Sequence, residues 1–326
     1  MITPVVAIHG GAGAMSRAAM SAEQEKKYLQ ALEDVLQASQ AILAAGGSAL
    51  DAVTDAVRRL EDCPLFNAGH GAVFTSAGTH ELDASIMDGA TLRSGAIANV
   101  DCIRNPVLAA RKVMETSKHV FFVGAGAAAF AREQGVEIVD PTYFSTPARH
   151  EQLLRVQREQ PGAAVLDHDG QAMVSRAQPA PAEPLDADRK MGTVGAVAVD
   201  AQGNLAAATS TGGITNKQVG RVGDAPLIGA GCYAANATCA VSTTGTGEMF
   251  IRMVAAYDVA AQMEYTGATL EAAAARVVHE KLPRIQGKGG LIAVDAQGNV
   301  TLPFNTEGMY RGYARVGEAP VAAIYQ

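Results

Sequence analysis

Apolar positions along the chain change their spacing repeatedly, and each change predicts an element. "PVVAIHG" (4–10) is a short continuous apolar run closing on glycine, the pattern of a buried strand. Ser21 and Gln24 have capping-box spacing, and Leu29, Leu32, Leu36, Ile42 and Leu43 behind them recur on one helical face. Gly46 and Gly47 stop that helix, and Ser48 can cap a second one carrying Leu50, Val53 and Val57. After "CPLFNAGHG" (63–71) the pattern predicts short strands around "GAVFT" (71–75) and "LDASIMDG" (82–89). "NPVLAARKVMET" (105–116) predicts a helix with Pro106 in its first turn, "HVFFVG" (119–124) a strand and "GAAAFAREQG" (126–135) a helix.

Residues 157–192 break the pattern. "EQPG", "DHDGQ" and "QPAPAEPLDADRK" are rich in proline, alanine and charge, and apolar periodicity is lost. This is the composition of a flexible linker, and it is longer than most loops of compact domains. Beyond it comes a near-repeat: "GAVAVDAQGNLAAATSTGG" (195–213) resembles "GLIAVDAQGNVTLPFNTEG" (290–308). Each reads as a β-hairpin about an Ala-Gln-Gly-Asn turn. Between them, "EMFIRMVAAYDVAAQMEY" (248–265) and "LEAAAARVVHEKL" (270–282) are helical by composition and periodicity. Helices alternating with antiparallel strands predict an α/β protein of packed sheets and helices.

Composition narrows the class. The chain has 326 residues, 48% hydrophobic and 18% charged, with a net charge of −7. That acidic balance argues against nucleic-acid or anionic-membrane partners. "MITPVVAIHGGAG" lacks a basic region and a long enough apolar run for a signal peptide, and no stretch approaches the roughly 20 apolar residues of a membrane span. Cys63, Cys102, Cys232 and Cys239 form no CxxC pair and are read as buried thiols in a reducing cytoplasm.

The linker ends at Gly192–Thr193, and strand character begins immediately afterwards. A β-branched residue opening a strand needs no further reason. Three features nevertheless point to chemistry. Gly192 puts no side chain before the threonine, the long linker makes the junction accessible, and the strand would hold a new chain end rigidly. Cleavage before Thr193 would give it a free α-amine beside its own hydroxyl. Such an amine titrates near pH 8, so it serves as a base close to neutrality, and N-terminal threonine is an activated nucleophile.

Candidate partners follow in the sequence. "TSTGG" (209–213) returns one hairpin later, so Thr211 can face Thr193. "GRVGD" (220–224) supplies Arg221, whose planar fork suits a carboxylate, and Asp224, which can accept from an ammonium. Together they fit the head of an α-amino acid. "TTGTGE" (243–248) offers Thr244 and the amide of Gly245 as oxyanion donors.

"GTVGAVAVD", "TSTGG", "NKQVGRVGD", "GAGCYA" and "TTGTGE", with "HGGAG", "CPLFNAGHGAVF", "LDASIMDG", "NPVLAA" and "FNTEGMYRG", occur in order and resemble the plant-type L-asparaginase/isoaspartyl peptidase family of N-terminal-nucleophile hydrolases. The similarity covers nearly all of the chain outside the linker. It implies a four-layer αββα sandwich and a precursor that cleaves itself before Thr193. Residues 1–156 would form the α-subunit half of one domain, 157–192 the linker ending at the cleavage site, and 193–326 the β-subunit half. The mature enzyme would be a homodimer of αβ units. The resemblance further implies Thr193 as nucleophile, Thr211 touching its hydroxyl, Asn67 near its amine, Arg221 and Asp224 on the substrate head, and Thr244 and Gly245 as oxyanion hole. It implies a structural sodium wrapped by backbone oxygens of Leu60, Glu61, Cys63, Phe66, Ala68 and His70, and no cofactor for catalysis. Expected substrates are L-asparagine and β-aspartyl dipeptides, and a glycosylasparaginase is the alternative within the superfamily.

Rival readings are weaker. "GAGAAA" after "HVFFV" mimics a dinucleotide fingerprint at Gly124, Gly126 and Ala129, but no acidic residue ends a second strand at the required distance. "HGGAG" is like a lipase oxyanion loop, yet no GxSxG elbow occurs. Seven histidines form no HExxH or comparable ligand set. A non-enzymatic amino-acid-binding protein would explain Arg221 and Asp224 but not Thr193 behind a linker.

Overall fold

A computed structural model describes residues 2–13, 20–159 and 192–326. The chain begins with β1 (Val5–Gly13), then α1 (Ala22–Ala44) and α2 (Ala49–Asp62). Both helix starts are written in their caps. Ser21 and Gln24 form the reciprocal capping box, and Ser48 Oγ accepts from the Asp51 N–H. β2 (Leu82–Asp88) and β3 (Ser94–Val100) form a hairpin, followed by α3 (Pro106–Thr116), β4 (Phe121–Val123), α4 (Gly124–Glu133) and α5 (Pro147–Glu159). Residues 157–159 therefore close a helix rather than open the linker. The linker from 160 to 191 lies outside the described residues.

The second half runs β5 (Val194–Val199), β6 (Leu205–Thr211), β7 (Cys232–Ala234), β8 (Cys239–Gly245), α6 (Gly247–Met253), α7 (Ala255–Thr266), α8 (Leu270–Ala275), a π-helical stretch Arg276–Lys281, α9 (Leu282–Arg284), β9 (Gly289–Asp295), β10 (Val300–Thr301), β11 (Gly308–Arg315) and β12 (Val321–Tyr325). Two sheets result, one of eight strands in the order β12-β11-β1-β5-β6-β2-β3-β4 and one of four in the order β10-β9-β8-β7. The expected mixture of helices and antiparallel strands is present. The strand following the linker, β5, lies in the middle of the larger sheet between β1 and β6.

Alternation along these central strands divides the packing. Val6, Ile8, Val194, Ala196, Ala198, Ala206 and Ala208 share a core with Leu32, Leu36, Val53, Val57 and Val107 of the first three helices. The intervening Val5, Ala7, Val197, Val199 and Ala207 pack with Ala240, Ile292 and Val294 of the smaller sheet. The other face of that sheet, through Val241, Leu291 and Ala293, packs on Val259, Ala273 and Val277. Strands buried on both faces lose the apolar-polar alternation, which is why β1 and β5 read as continuous apolar runs.

Three local expectations are corrected. "GAVFT" forms no strand, only an isolated bridge from Thr75 to Lys217. The helix expected over 248–265 is two helices, because Val254 takes a left-handed conformation at φ 48° between α6 and α7. A β-branched residue there is a strained break that composition does not announce. The second hairpin has a return strand of only two residues, since Pro303, which has no N–H to donate, follows it closely.

Candidate active site

Thr193 is buried immediately ahead of β5. The β5–β6 ladder pairs Val194 with Ser210, and one more residue of the same register sets Thr211 opposite Thr193. On its other side Thr211 pairs with Asp83 of β2. The Thr211 hydroxyl accepts from the Gly213 N–H at 2.9 Å.

Gly192 has no room for a side chain. A β-carbon there would collide with Gly11 and stand 2.8 Å from Thr244 Oγ1. The Thr244 hydroxyl therefore lies beside the Gly192–Thr193 junction, where it also accepts from the Ala12 N–H at 3.3 Å. Gly245 has φ 152°, and a β-carbon would run into the Lys288 carbonyl, so only glycine turns the backbone here. The sequence-predicted Gly192, Thr193, Thr211 and Thr244 are thus brought together from the lead into β5, from β6 and from β8, against the end of β1.

Asn67 has another immediate task. Its Nδ2 donates to the Gly213 carbonyl at 2.7 Å, its Oδ1 accepts from Val73, and its backbone oxygen accepts from Gly212. It ties down the turn that follows Thr211. No hydrogen bond from Asn67 to Thr193 forms among the described residues.

Arg221 and Asp224 share one loop. Asp224 is fully buried, which pushes its carboxyl up to about 6, while the Thr243 hydroxyl donates to its Oδ2 at 2.7 Å. Arg221 donates from Nε and Nη2 to the two oxygens of Glu248, both at 2.9 Å. Glu248 stands inside the "TTGTGE" motif, yet nothing in the sequence singled it out.

Sequence reasoning also missed a polar chain under the nucleophile. His9 Nε2 and Ser242 Oγ are 2.8 Å apart, Ser242 Oγ and Thr209 Oγ1 are 2.8 Å apart, and Thr209 donates to the Gly231 carbonyl. Burial pushes the His9 imidazole down to about 3, against a smaller opposing influence of the Thr193 backbone. His9 is therefore neutral at physiological pH. Its partner across the ladder is Gly195, where any β-carbon would enter the His9–Ser242 contact. The signal was a histidine ending an apolar strand, which is easily taken for ordinary core. A second missed group is Lys217, wholly buried, whose Nζ donates to the Glu81 carbonyl at 2.8 Å beside Asp83.

The loop after α2 is closed on itself. The carbonyls of Leu60, Glu61 and Cys63 accept from Cys63, His70 and Phe66. Each carbonyl oxygen keeps a second lone pair, and neutral oxygens on one tight loop suit a monovalent cation. The side chains turn to other work. Glu61 Oε1 accepts from the Val107 N–H at the start of α3, burial pushes its carboxyl up to about 8, and His70 Nδ1 lies 2.7 Å from the Tyr143 carbonyl. Of the six residues expected around a cation, Leu60, Glu61 and Cys63 thus present carbonyls with a lone pair to spare. Burial raises the Cys232 and Cys239 thiols to about 12, which leaves them inert.

A family model described as asparaginase matches residues 2–324. The chain belongs to this family. It is 61% identical over 322 residues to an isoaspartyl peptidase of Escherichia coli, covering 99% of this chain and 96% of the relative. It is 42% identical to a probable isoaspartyl peptidase/L-asparaginase 2 of Arabidopsis thaliana, covering 98% of each. It is 40% identical to the human isoaspartyl peptidase/L-asparaginase, covering 97% of this chain and 95% of the relative. The asparaginase fold fits the two-sheet arrangement observed. No helix among the described residues is long and apolar enough to cross a membrane.

Proposed function

We propose that this asparaginase-family chain hydrolyses the side-chain amide of L-asparagine and of β-aspartyl dipeptides, after cutting itself between Gly192 and Thr193. The observation that carries the reading is the convergence of Thr193, Thr211 and Thr244 at the Gly192 junction. The names of its relatives supply the substrate class.

In maturation the Thr193 hydroxyl attacks the Gly192 carbonyl, the acyl group passes to oxygen, and water releases the α chain with Thr193 bearing a free amine. In turnover that amine takes the hydroxyl proton as Oγ attacks the substrate's side-chain carbonyl. Thr244 and the Gly245 amide stabilise the oxyanion. The proton passes to the leaving nitrogen, ammonia or an amino acid departs, and a β-aspartyl ester on Thr193 remains. Water, deprotonated by the same amine, then frees aspartate. Arg221 takes the substrate's α-carboxylate and Asp224 its α-ammonium. Three packed cores between helices and sheets accord with a four-layer αββα stacking. The carbonyls of the 60–70 loop would hold a sodium ion, which would serve structure and not the reaction, and the working unit is a homodimer of αβ units.

Mass spectrometry of the purified protein should find a fragment beginning at Thr193, and the cleaved protein should release aspartate from asparagine and from β-aspartyl-leucine. An intact chain with full activity would overturn the nucleophile assignment. Activity confined to a glycosylated asparagine would replace the substrate class.

A further inference from the structure

A guanidinium group is a flat plate with two edges that can each give two hydrogen bonds, Nε with one Nη, or the pair of Nη atoms. In Arg221 the first edge is filled by Glu248, Nε to Oε1 and Nη2 to Oε2, each at 2.9 Å. Nη1 donates no hydrogen bond among the described residues.

Two glycines leave room around the guanidinium. A β-carbon at Gly223 would stand 2.9 Å from Nη1, 3.3 Å from Cζ and 3.4 Å from Nη2, over the flat face of the plate, so the bare backbone at 223 can lie against that face and leave the Nη1–Nη2 edge to other partners. One at Gly247 would stand 3.0 Å from Nη2 and 2.9 Å from Asp224 Oδ1. The space left at Gly247 therefore lies between Nη2, which keeps a second N–H, and Asp224 Oδ1. Thr243 occupies the other oxygen of Asp224, which fixes the carboxylate so that Oδ1 is the one left over.

We infer that Glu248 is a positioning residue for substrate recognition: it locks Arg221 by the Nε–Nη2 edge so that the Nη1–Nη2 edge receives the α-carboxylate of an amino-acid head while Asp224 Oδ1 takes the ammonium. This rests on the carboxylate role proposed above for Arg221. Glu248 touches no substrate and acts only through the arginine. Its carboxyl stays ionised, because although burial works the other way, the bond to Arg221 holds it below the usual range. Without Glu248 the long arginine side chain would give up rotamer freedom at each binding event, which weakens binding rather than bond-making. The geometry separates Glu248 from a mere competitor for the fork. A competitor would have to leave before substrate binds, whereas the two edges can be occupied together.

The test uses the matured enzyme, with L-asparagine as substrate and L-aspartate and β-alanine as competitive inhibitors. β-Alanine is aspartate without its α-carboxylate, so it keeps the Asp224 contact and lacks the Arg221 contact. Glu248→Ala should raise the KM for asparagine and the Ki for aspartate about ten-fold, keep kcat within about three-fold and move the β-alanine Ki by less than about two-fold. Glu248→Gln keeps the volume and one acceptor and should fall between, which also supplies a folded variant if alanine does not yield one. An unchanged or lowered KM in these variants overturns the proposal, and a lowered one marks Glu248 as a competitor. Equal losses for aspartate and β-alanine overturn it too, because they mean a general loosening of the site. Arg221→Met separates the two layers of the argument. If that variant leaves the KM for asparagine unchanged, the carboxylate reading of Arg221 fails. If it raises KM while Glu248→Ala does not, that reading stands and the role of Glu248 falls.

Discussion

The chain builds the same turn twice and gives it two different lives. In the first hairpin Asp200 Oδ1 accepts from the N–H groups of Gln202 and Asn204, and Gly203 has φ 83°. In the second, Asp295 Oδ1 accepts from Gln297 and Asn299, and Gly298 has φ 84°. Five residues, Asp-Ala-Gln-Gly-Asn, therefore determine the turn wherever they stand. They do not determine the strands around it. β5 and β6 are wholly buried in mid-sheet and seven residues of β6 return, whereas β10 returns for two half-buried residues at a sheet edge. A local motif sets the reversal, and the neighbours decide how far the pairing runs.

The difference reaches the chemistry. At the same offset in the twin, Lys288 stands where Thr193 stands and Thr306 where Thr211 stands. The Thr306 hydroxyl donates to the nearby Gly308 carbonyl at 2.9 Å, which is turn chemistry and nothing more. The sharpest way to break the comparison is to remove both threonine hydroxyls in turn. Thr193→Ala should leave one uncleaved chain and lower hydrolysis at least about a thousand-fold, as loss of a nucleophile does elsewhere. Thr306→Ala should mature normally and keep activity, at a stability cost of about 1 kcal/mol for the lost hydrogen bond. Electrophoresis and an ammonia-release assay read both, and a normally cleaved, active Thr193→Ala enzyme would remove the distinction between the hairpins.

The second contrast is acid sensitivity. The first hairpin sits against His9, whose folded-state imidazole is pushed down to about 3 by burial, while unfolded histidine titrates at 6.5. The unfolded chain therefore binds a proton that the folded chain refuses. This costs nothing above pH 6.5 and grows as pH falls from 6.5 towards 3, at up to about 1.4 kcal/mol per pH unit. At pH 5 the penalty is about 2 kcal/mol. His9→Gln should be less stable than the parent at pH 7.5, because the Ser242 partner loses its geometry, yet lose less of its remaining stability between pH 7.5 and 5. Parallel denaturant melts at the two pH values measure this, and equal losses in both proteins would show that His9 is not the group responsible.

Much of the site was legible because it is carried by residues whose type is their chemistry. Thr193 after glycine, the arginine and aspartate in one glycine-rich loop, and paired threonines one hairpin apart are informative before any folding. Helix starts were legible for the same reason, since Ser21, Gln24 and Ser48 act through near neighbours in sequence. What was hidden depends on long-range placement. His9, Thr209 and Ser242 meet from β1, β6 and β8, and their separations in sequence reach 233 residues. Glu248 looks like an ordinary charge in the first turn of a helix until Arg221 is set beside it. The break at Val254 was hidden because α7 begins on distant partners, the Ala256 and Tyr257 N–H groups donating to the Ala230 and Gly229 carbonyls.

The finest contrast lies in the two turn aspartates, which share one pair of hydrogen bonds and differ in the next. The Asp200 Oδ2 accepts from the Ala49 N–H, a donor at the start of α2 that has no acceptor within the helix, at 3.2 Å. The Asp295 Oδ2 instead accepts from the Asn299 side chain, within its own turn. Replacing Asp295 by alanine unties one loop, whose donors can turn to water. Replacing Asp200 unties the same loop and also leaves a buried helix-end donor unsatisfied, and such a group costs about 1–3 kcal/mol. Asp200→Ala should therefore be less stable than Asp295→Ala by about 1 kcal/mol, a difference resolved by urea melts of the two variants at equal slope. A paired variant, Asp200→Asn, keeps Oδ1 for the turn and offers an amide in place of Oδ2. Its loss should match the Ala49 contribution alone. If Asp200→Ala and Asp295→Ala unfold at the same urea concentration, the tie between the first turn and α2 contributes nothing. The two hairpins would then differ only in the strands they join.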